Sequence, residues 1–349
     1  MEHKEEENTS EDIPVEYMED AGAPFDPYDT PEGFRSGFVA IIGEPNVGKS
    51  TLLNGVLDFK VAIVSAKAQT TRDRLSGIYT DARCQAVFVD TPGVMEPADK
   101  FNEALRDTAL EALEGADVIL HLVDATKPIV LPDVARKALE QIETARLLVV
   151  NKTDRLPDSQ TAFAFESSEK KRRYAEEKLH LPFDASGYDD IFYISALKGV
   201  GTDTLLEAVR ERLPEGPYLY DPEQLTDRDM RFLASEIVRE KVLQFLEQEV
   251  PYSVATRCED FVERPESKHL VQITIFVEQE SQKAIVIGKR GAMLRKIGSA
   301  ARPEIEAMCD HPVYLELWVK VRKKWRKREE SLREFGYQSQ SSKKKRKKR

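Results

Sequence analysis

The chain contains the stretch Gly43-Glu44-Pro45-Asn46-Val47-Gly48-Lys49-Ser50, which has the spacing of a phosphate-binding loop. It follows the apolar run 38–42 and leads into a helical pattern. Glycines let successive backbone N–H groups curl around a phosphate, and the N-terminus of the helix adds a favourable partial charge. We expect Lys49 to reach the β- and γ-phosphates, the Ser50 hydroxyl to ligate Mg²⁺, and Thr51 to lie beside them.

Further apolar runs follow along the chain and are separated by helical stretches; they cover residues 86–89, 118–123, 147–150 and 191–194. Strands that alternate with helices predict a parallel or mostly parallel sheet with helices on both faces. The predicted fold class of this part is therefore α/β. In such sheets ligands bind at the carboxyl ends of the strands, and the remaining motifs follow these runs.

A switch motif follows the run 86–89 and reads Asp90-Thr91-Pro92-Gly93. The Asp90 carboxylate can hold Mg²⁺ through a water, and the Gly93 N–H can meet the γ-phosphate. Loss of that phosphate would release the loop. The next residue, Val94, has an apolar side chain that cannot orient an attacking water, so we expect slow intrinsic hydrolysis. One hypothesis is that K⁺, held partly by Asn46, supplies positive charge in the transition state.

The segment between these two motifs reads Gln69-Thr70-Thr71-Arg72-Asp73. One of its threonines should close on Mg²⁺ when the γ-phosphate is present. We choose Thr71 over Thr70 because it directly precedes Arg72. The expected catalytic residues are therefore Lys49, Thr71 and Gly93. The expected metal ligands are Ser50, Thr71 and Asp90.

Two motifs after the later runs predict guanine recognition: Asn151-Lys152-Thr153-Asp154 and Ser195-Ala196-Leu197. The Asp154 carboxylate can accept from guanine N1–H and the 2-amino group together. Adenine has no such donor pair and would leave the carboxylate unpaired, at a cost of about 1–3 kcal/mol or more. The second motif would add a main-chain N–H to the base. The four motifs in this order predict a guanine-nucleotide domain; a domain that binds without hydrolysing is the remaining alternative.

The pattern changes after the break at 213–217, where a smaller α+β module begins. An amphipathic helix is predicted over 227–248, a strand over 271–277 and a last strand over 313–321. Between the strands lies the stretch Gly288-Lys289-Arg290-Gly291. It matches the Gly-x-x-Gly loop of KH domains, which clamps about four nucleotides of backbone. These residues therefore predict binding of RNA or single-stranded nucleic acid.

Charge is distributed unevenly along the chain, whose net charge is −10. Acidic residues dominate 1–35, whereas 343–349 is an unbroken run of Lys and Arg. A polyanion responds to the local field within a Debye length of about 8–10 Å, so the basic end favours a nucleic-acid partner. Solvated solubility segments are the alternative for both ends. A further hypothesis is that the two ends pair and cover the RNA-binding surface.

Several classes of protein are disfavoured by the composition. No stretch approaches the about 20 apolar residues of a membrane-spanning helix, and the N-terminus lacks the pattern of a secretory signal. The three cysteines are scattered without metal-ligand spacing, which indicates a reducing cytoplasm. We interpret His121 as a core histidine, and Trp318 and Trp325 as residues that pack or border the basic surface.

The combination of motifs resembles the Era family of bacterial ribosome-assembly GTPases. The likeness spans roughly 38–337 and includes, beyond the motifs above, residues 226–228, 234–241, 251–254 and 315–321. It implies a Ras-like P-loop GTPase domain followed by a type II KH domain. Together with the composition of the two ends, which lie outside this likeness, it gives the predicted division: a disordered acidic arm at 1–35, the GTPase domain at 36–213, a linker at 214–225, the KH domain at 226–334 and a basic tail at 335–349.

The resemblance also implies a function. Family members bind near the 3′ end of 16S ribosomal RNA during maturation of the small ribosomal subunit. GTP-bound protein holds the RNA, and hydrolysis favours release. GTP, GDP and Mg²⁺ are the implied ligands, and a cytoplasmic monomer is expected, although some members associate peripherally with the inner membrane.

Some features depart from the family pattern. The charged segment 157–189 is interpreted as a surface insertion, and Thr153 stands where valine is common. Pro303 enters a predicted helix, where it is tolerated in the first turn if Ser299 is the cap. Two other functions stay open: a GTP-regulated adaptor whose basic tail meets anionic lipid or whose KH module binds protein, and a nucleotide-binding scaffold with negligible turnover.

Overall fold

The computed structural model describes residues 25–65, 67, 70–93, 99–127, 133–156 and 187–337. Its first domain is built on a six-stranded sheet with the order β2-β3-β1-β4-β5-β6, in which β2 runs antiparallel to β3 and the other neighbours are parallel. The strands are β1 (Arg35–Ile42), β2 (Leu75–Thr80), β3 (Cys84–Asp90), β4 (Val118–Asp124), β5 (Ala145–Asn151) and β6 (Asp190–Tyr193).

Helices cover both faces of this sheet, as the alternating pattern predicts. They are α1 (Lys49–Leu57), α2 (Lys100–Glu114), α3 (Asp133–Glu140) and α4 (Thr202–Arg212). Val39 and Ile41 of β1 point into the core shared with α1 and α4, whereas Ala40 and Ile42 point toward α2 and α3. Because both faces are covered, β3 and β4 are buried at every position, and the runs 86–89 and 118–123 make up most of their length.

The sequence analysis missed β2, which is the antiparallel edge strand of this sheet. Its sequence Leu-Ser-Gly-Ile-Tyr-Thr has no continuous apolar run. A side chain at Gly77 would lie 2.5 Å from Leu53 Cδ1, so the glycine lets α1 pack directly on the strand. The strand therefore depends on tertiary packing more than on its own hydrophobic pattern.

The second domain has a three-stranded sheet with the order β7-β8-β9, in which β8 is antiparallel to β7 and parallel to β9. The strands are β7 (Ala255–Val262), β8 (His269–Val277) and β9 (Val313–Val321). The helices are α5 (Met230–Phe245), α6 (Glu280–Ile287), α7 (Ala292–Cys309) and α8 (Glu329–Glu334). Alternate residues of β8 enter one core with α5 and α7, which matches the period of two in the sequence. None of the helices in the described ranges is long and apolar enough to cross a membrane.

The interpretation of Pro303 requires a correction. Helix α7 runs without interruption from Ala292 to Cys309, so Ser299 is not a cap and Pro303 lies inside the helix. Gly291 occupies the N-cap position instead. Pro303 lies on the exposed side of the helix, where the carbonyl that loses its N–H partner can bond to water.

Both predicted terminal segments pack on the fold more than expected. Phe34, assigned to the disordered arm, is buried and its ring centroid lies 4.6 Å from that of Tyr218. Tyr337, assigned to the basic tail, is buried at the boundary between the domains beside Phe101 and Trp325. The packed part of the chain therefore begins before residue 36 and continues past 334. Residues 1–24 of the acidic arm, residues 157–186 of the predicted insertion, and residues 338–349, which include the run 343–349, lie outside the described residues.

Candidate nucleotide and nucleic-acid sites

The glycine-rich loop connects β1 to α1 in a conformation that other residue types resist. Gly43 and Gly48 have φ angles of 148° and 106°. A side chain at Gly43 would lie 2.3 Å from the Leu122 carbonyl oxygen, and one at Gly48 would lie 2.3 Å from Asn151 Nδ2. The loop therefore approaches two neighbouring strand ends closely because it has no side chains at these positions.

Lys49 begins α1 and lies across the loop. Its side chain is buried, and Nζ donates to the carbonyl oxygens of Gly43 at 3.1 Å and Glu44 at 3.0 Å. Burial lowers the pKa of Lys49, while the nearby Asp90 and Glu44 carboxylates oppose that effect. The buried ammonium is suited to an anionic partner because desolvated charge is stabilised mainly by opposite charge.

Three oxygen-bearing side chains converge beside this lysine. Ser50 Oγ donates to Asp90 Oδ2 at 2.7 Å, and Thr71 Oγ1 lies 3.0 Å from Ser50 Oγ and 3.2 Å from Asp90 Oδ2. Burial raises the pKa of Asp90, and the Lys49 charge opposes this. The buried Oδ1 atom of Asp90 has no hydrogen-bond partner within the described part of the chain. Hydroxyl and carboxylate oxygens with an unsatisfied acceptor fit a hard divalent cation or its water.

The two candidate threonines point in different directions. Thr70 Oγ1 donates to the Lys67 carbonyl at 2.6 Å, whereas Thr71 Oγ1 faces Ser50 and Asp90. The structure thus places Thr71 with the other predicted metal ligands. Gln69 and Val94 lie outside the described residues.

The loop after β3 lies against the phosphate-binding loop. A side chain at Gly93 would lie 2.7 Å from the Pro45 nitrogen, so this glycine permits the close approach. Thr91 Oγ1 donates to the Ile41 carbonyl at 2.8 Å and fixes the loop to β1. The motif 90–93 therefore lies directly beside the loop 43–50, as the sequence analysis expected from the strand ends.

The motif after β5 connects the phosphate loop to the loop after β6. Asn151 Nδ2 donates to the Val47 carbonyl at 2.7 Å, and Asn151 Oδ1 accepts from the Ala196 amide at 2.9 Å. Ser195 Oγ donates to Asp154 Oδ1 at 2.6 Å, which orients the carboxylate. The Ala196 amide is already bonded to Asn151, so its contact with a base stays a prediction.

Thr153 and Leu197 have opposite environments within these motifs. Thr153 is buried, and its Oγ1 donates to the Ile194 carbonyl at 2.9 Å. This bond turns its side chain toward the end of β6, and Thr153 is not among the residues that line the cavity. Leu197 is 72% exposed and lines the cavity, where an apolar side chain can cover one face of a flat ring.

Asp124 is a site residue that the sequence analysis missed. It ends β4, and its Oδ2 accepts from Lys152 Nζ at 2.6 Å; Lys152 also donates to the Asn46 carbonyl. Burial alone would raise the pKa of Asp124, but the hydrogen bonds from Lys152 and Thr126 outweigh burial and hold it below its usual value. The available signal was its position directly after an apolar run, at the same sheet edge as the other motifs.

The motifs from these loops line one cavity of about 400 Å³. Each of the predicted nucleotide motifs contributes to its wall. The lining residues include Pro45, Asn46, Gly48, Lys49, Ser50, Thr51, Thr71, Gly93, Asn151, Lys152, Asp154 and Leu197. One end of the cavity has the buried ammonium and the oxygen cluster, and the other has the Asp154 carboxylate.

The predicted nucleic-acid loop lies between α6 and α7 of the second domain. Gly288 and Gly291 have φ angles of 71° and 77°, and Lys289 and Arg290 between them are exposed. A side chain at Gly288 would lie 2.7 Å from Met293 Cβ. The loop thus turns sharply onto the N-terminus of α7 and presents two cations to solvent, an arrangement suited to phosphates of a polymer.

Comparisons with known proteins agree with this geometry. Residues 38–152 match the family described as 50S ribosome-binding GTPase, and residues 249–326 match the KH domain family. The chain is 43% identical over 310 residues to GTPase Era of Geotalea daltonii, covering 88% of this chain and 100% of that relative. GTPase Era of Leuconostoc citreum is 42% identical, with 88% of this chain and 98% of the relative covered. The chain belongs to the Era family of GTPases.

Solved structures of the family match both domains together. An Era complex with MgGDPNP and nucleotides 1506–1542 of 16S ribosomal RNA has a TM-score of 0.78 and 37% identity, covering 87% of this chain and 99% of that chain. A point variant of Aquifex aeolicus Era bound to GDP and AlF4⁻ has a TM-score of 0.77 at the same identity and the same coverage of each chain. The predicted Ras-like GTPase domain and the KH domain that follows it are both confirmed. This Era-family protein is a nucleotide-binding enzyme that hydrolyses GTP.

Proposed function

We propose that this protein is a GTP-hydrolysing switch that binds 16S ribosomal RNA near its 3′ end and assists assembly and maturation of the small ribosomal subunit. It acts as a cytoplasmic monomer. One observation carries the proposal: the nucleotide motifs line one cavity in the first domain, while the KH domain presents exposed Lys289 and Arg290 between two glycines. The Era complex with a 16S fragment supports RNA of this class as the partner.

In this proposal the cavity separates base recognition from phosphate chemistry. Asp154, oriented by Ser195, accepts from guanine N1–H and the 2-amino group. Lys49 binds the β- and γ-phosphates, and the Gly93 amide meets the γ-phosphate. Ser50 and Thr71 ligate Mg²⁺, with Asp90 holding it through a water. When bound, Mg²⁺ neutralises charge that develops on the phosphate oxygens.

A second element of the proposal concerns the monovalent cation. Asn46 lines the cavity, and its carbonyl is held by Lys152, so the residue is fixed at the phosphate end. We expect K⁺, held partly by Asn46, to supply positive charge where the chain offers no glutamine-like residue after Gly93. Single-turnover hydrolysis should therefore be faster in potassium than in sodium at equal ionic strength. Equal rates would remove K⁺ from the mechanism.

The experiment that tests the function measures RNA binding by the full-length protein. A radiolabelled fragment from the 3′ end of 16S RNA is titrated with protein saturated with GDPNP or with GDP, and a shuffled fragment serves as the control. We expect tighter binding of the 3′-end fragment, tighter still with GDPNP, and crosslinks that map to that end. Equal binding of both fragments would overturn the RNA assignment. Binding to anionic vesicles without RNA preference would instead support the adaptor function.

A further inference from the structure

The switch segment that contains Thr71 is bonded to the KH domain on its N-terminal side. Arg239 of α5 donates from Nη2 to the main-chain carbonyl of Thr70. Arg239 is fully buried, and its Nε donates to Oε1 of Glu236, one turn earlier on α5, at 2.7 Å. The guanidinium is therefore fixed by its own helix before it contacts the switch segment.

The same segment is bonded to the KH domain on its C-terminal side. The Arg72 side chain is buried, and its guanidinium donates to the carbonyls of Pro251 and Tyr252, each at 3.3 Å, and to that of Val254. These carbonyls belong to the turn between α5 and β7. A buried hydrogen bond from a charged donor to a main-chain carbonyl is strong, because without it both groups would be removed from water with no partner.

Thr71 lies between these two attachments. The KH domain bonds to the main-chain carbonyl of Thr70 and to the side chain of Arg72, while the Thr71 hydroxyl faces Ser50 and Asp90. The position of a metal ligand within a few tenths of an ångström depends on the main chain that carries it. The KH domain thus supplies part of the support for a residue of the nucleotide site.

We infer that Arg239 is a positioning residue of the GTPase site, through which the KH domain holds Thr71 toward Ser50 and Asp90. The inference rests on the proposed function, in which Thr71 closes on Mg²⁺ only when a γ-phosphate is present. Arg239 therefore selectively strengthens binding of the triphosphate. By linkage, an RNA that shifts α5 changes triphosphate affinity, and the triphosphate changes RNA affinity by the same factor.

Comparison of triphosphate and diphosphate separates this role from general packing. Loss of a positioning contact to Thr71 weakens GDPNP and raises the Mg²⁺ concentration needed for half-maximal binding, but it leaves GDP affinity unchanged. Loss of fold stability would change both affinities together or neither.

The experiment uses the full-length protein with Arg239→Met, Arg239→Lys and the matched control Arg231→Met. Arg231 lies on the same helix, is exposed, donates to the main-chain carbonyl of Glu259 and forms an ion pair with Asp260 of its own domain. Fluorescence titration measures Kd for GDPNP and GDP over a Mg²⁺ series. We expect Arg239→Met to weaken GDPNP about tenfold, as for loss of one charge-assisted hydrogen bond. Arg239→Lys should recover part of this loss because an amine can still donate to Thr70. Arg231→Met should match the parent protein, and equal losses for GDPNP and GDP in Arg239→Met would overturn the inference.

A double-mutant cycle with Thr71→Ala keeps the test decisive if Arg239→Met is poorly stable. Thr71→Ala alone should show the same triphosphate-selective loss, and the combination with Arg239→Lys should add little to it. Additive losses would overturn the inference and leave the site intact. The inference would also be overturned if Thr71→Ala lost GDPNP affinity while neither Arg239 variant did. Unchanged GDPNP affinity in Thr71→Ala would overturn both the inference and the assignment of Thr71 to Mg²⁺.

Discussion

The two glycine-bounded loops of this protein, 43–50 and 288–291, differ in how they present positive charge. Each precedes a helix, and each has glycines with positive φ. The first encloses Lys49, which is 6% exposed, whereas the second leaves Lys289 and Arg290 in solvent. A buried cation suits a small ligand that displaces the water from an enclosed pocket. An exposed pair of cations suits a polymer that binds along the surface.

The difference also determines how each loop depends on conditions. Burial lowers the pKa of Lys49, so its charge depends on ligand and protein partners more than on bulk solvent. Exposed charges are screened by salt beyond about 8–10 Å, and they bind phosphates largely by releasing counterions. Nucleotide affinity should therefore respond weakly to salt, and RNA affinity strongly. The following predictions test that contrast.

The largest effect is expected for Lys49→Ala. Removal of a buried ammonium from two phosphates should weaken GDPNP by at least about a thousandfold, which corresponds to about 4 kcal/mol. Fluorescence titration against Lys137→Ala, an exposed lysine on α3, measures the loss. If Lys49→Ala keeps nearly full affinity, the enclosed loop is not the phosphate site.

A smaller effect is expected for the double variant Lys289→Ala/Arg290→Ala. RNA affinity should fall about 30- to 100-fold, and the slope of log affinity against log salt should fall by about 1.4, because two phosphate contacts are lost. Filter binding across a salt series measures both. The matched control is Arg264→Ala/Lys268→Ala, an exposed pair elsewhere in the KH domain. An unchanged salt slope would place the RNA on another surface.

The next largest effect is expected in the pH dependence of the free energy of unfolding, to which a buried histidine should contribute. His121 in β4 is buried against Tyr188, with Nδ1 2.6 Å from the hydroxyl oxygen, and burial together with the Lys49 charge lowers its pKa from 6.5 to about 4. The unfolded chain binds this proton more readily, so the stabilising contribution is complete above pH 6.5 and is lost as the pH falls toward 4. Between about pH 8 and about pH 5 the loss should be about 2 kcal/mol.

Hydrogen exchange of the β4 amides at both pH values measures this loss locally. His121→Gln should flatten the pH dependence, whereas His269→Gln, in the second domain, should leave it unchanged. An equal response in His121→Gln and the parent protein would show that another group titrates.

The smallest effect is expected for Gly291→Ala. Nothing lies within 4 Å of an added side chain, so the cost comes only from the left-handed backbone at φ 77° and should be about 1 kcal/mol. Gly288→Ala should cost more because its side chain would lie 2.8 Å from the Met293 nitrogen at the start of α7. Denaturant unfolding followed by the fluorescence of Trp325, a KH-domain residue buried at the boundary between the domains, gives the comparison. Equal costs would mean that α7 adjusts freely.

Elements with a strong local pattern were predictable. The apolar run of β4 and the alternation of β8 were both identified. A strand that is buried on both faces is apolar almost throughout, and one that is buried on one face alternates between apolar and polar residues. Strand β7 was missed: its residues Ala-Thr-Arg-Cys-Glu-Asp-Phe-Val are largely polar, and it forms by pairing with β8. The suggestion that Ser299 caps the helix containing Pro303 was wrong, because α7 runs without interruption from Ala292 to Cys309.

Two aromatic residues show the same limit. Trp325 stands within the Lys- and Arg-rich run 322–328, whereas Trp318 stands in the alternating apolar stretch 315–321. The structure buries Trp325 between the domains, with Nε1 donating to the Ser253 carbonyl at 2.7 Å, and leaves Trp318 58% exposed on β9. The local sequence does not predict this outcome, because the residue in the basic run is the buried one: which strand face or neighbouring domain covers each ring decides its burial.

The sequence by itself determined the chemistry of the nucleotide loop. Its Gly, Lys and Ser residues have a recognisable short spacing, and the later carboxylates directly follow apolar runs, so both signals can be read from the sequence. It also determined that a KH-type loop follows. Tertiary structure decided the rest: that Thr71 rather than Thr70 faces Asp90, that Asp124 holds Lys152, and that Arg239 reaches the Thr70 carbonyl from 169 residues away. Such contacts join residues that are far apart in the chain, within one domain or between the two, and the local spacing of residues does not determine how these parts pack together.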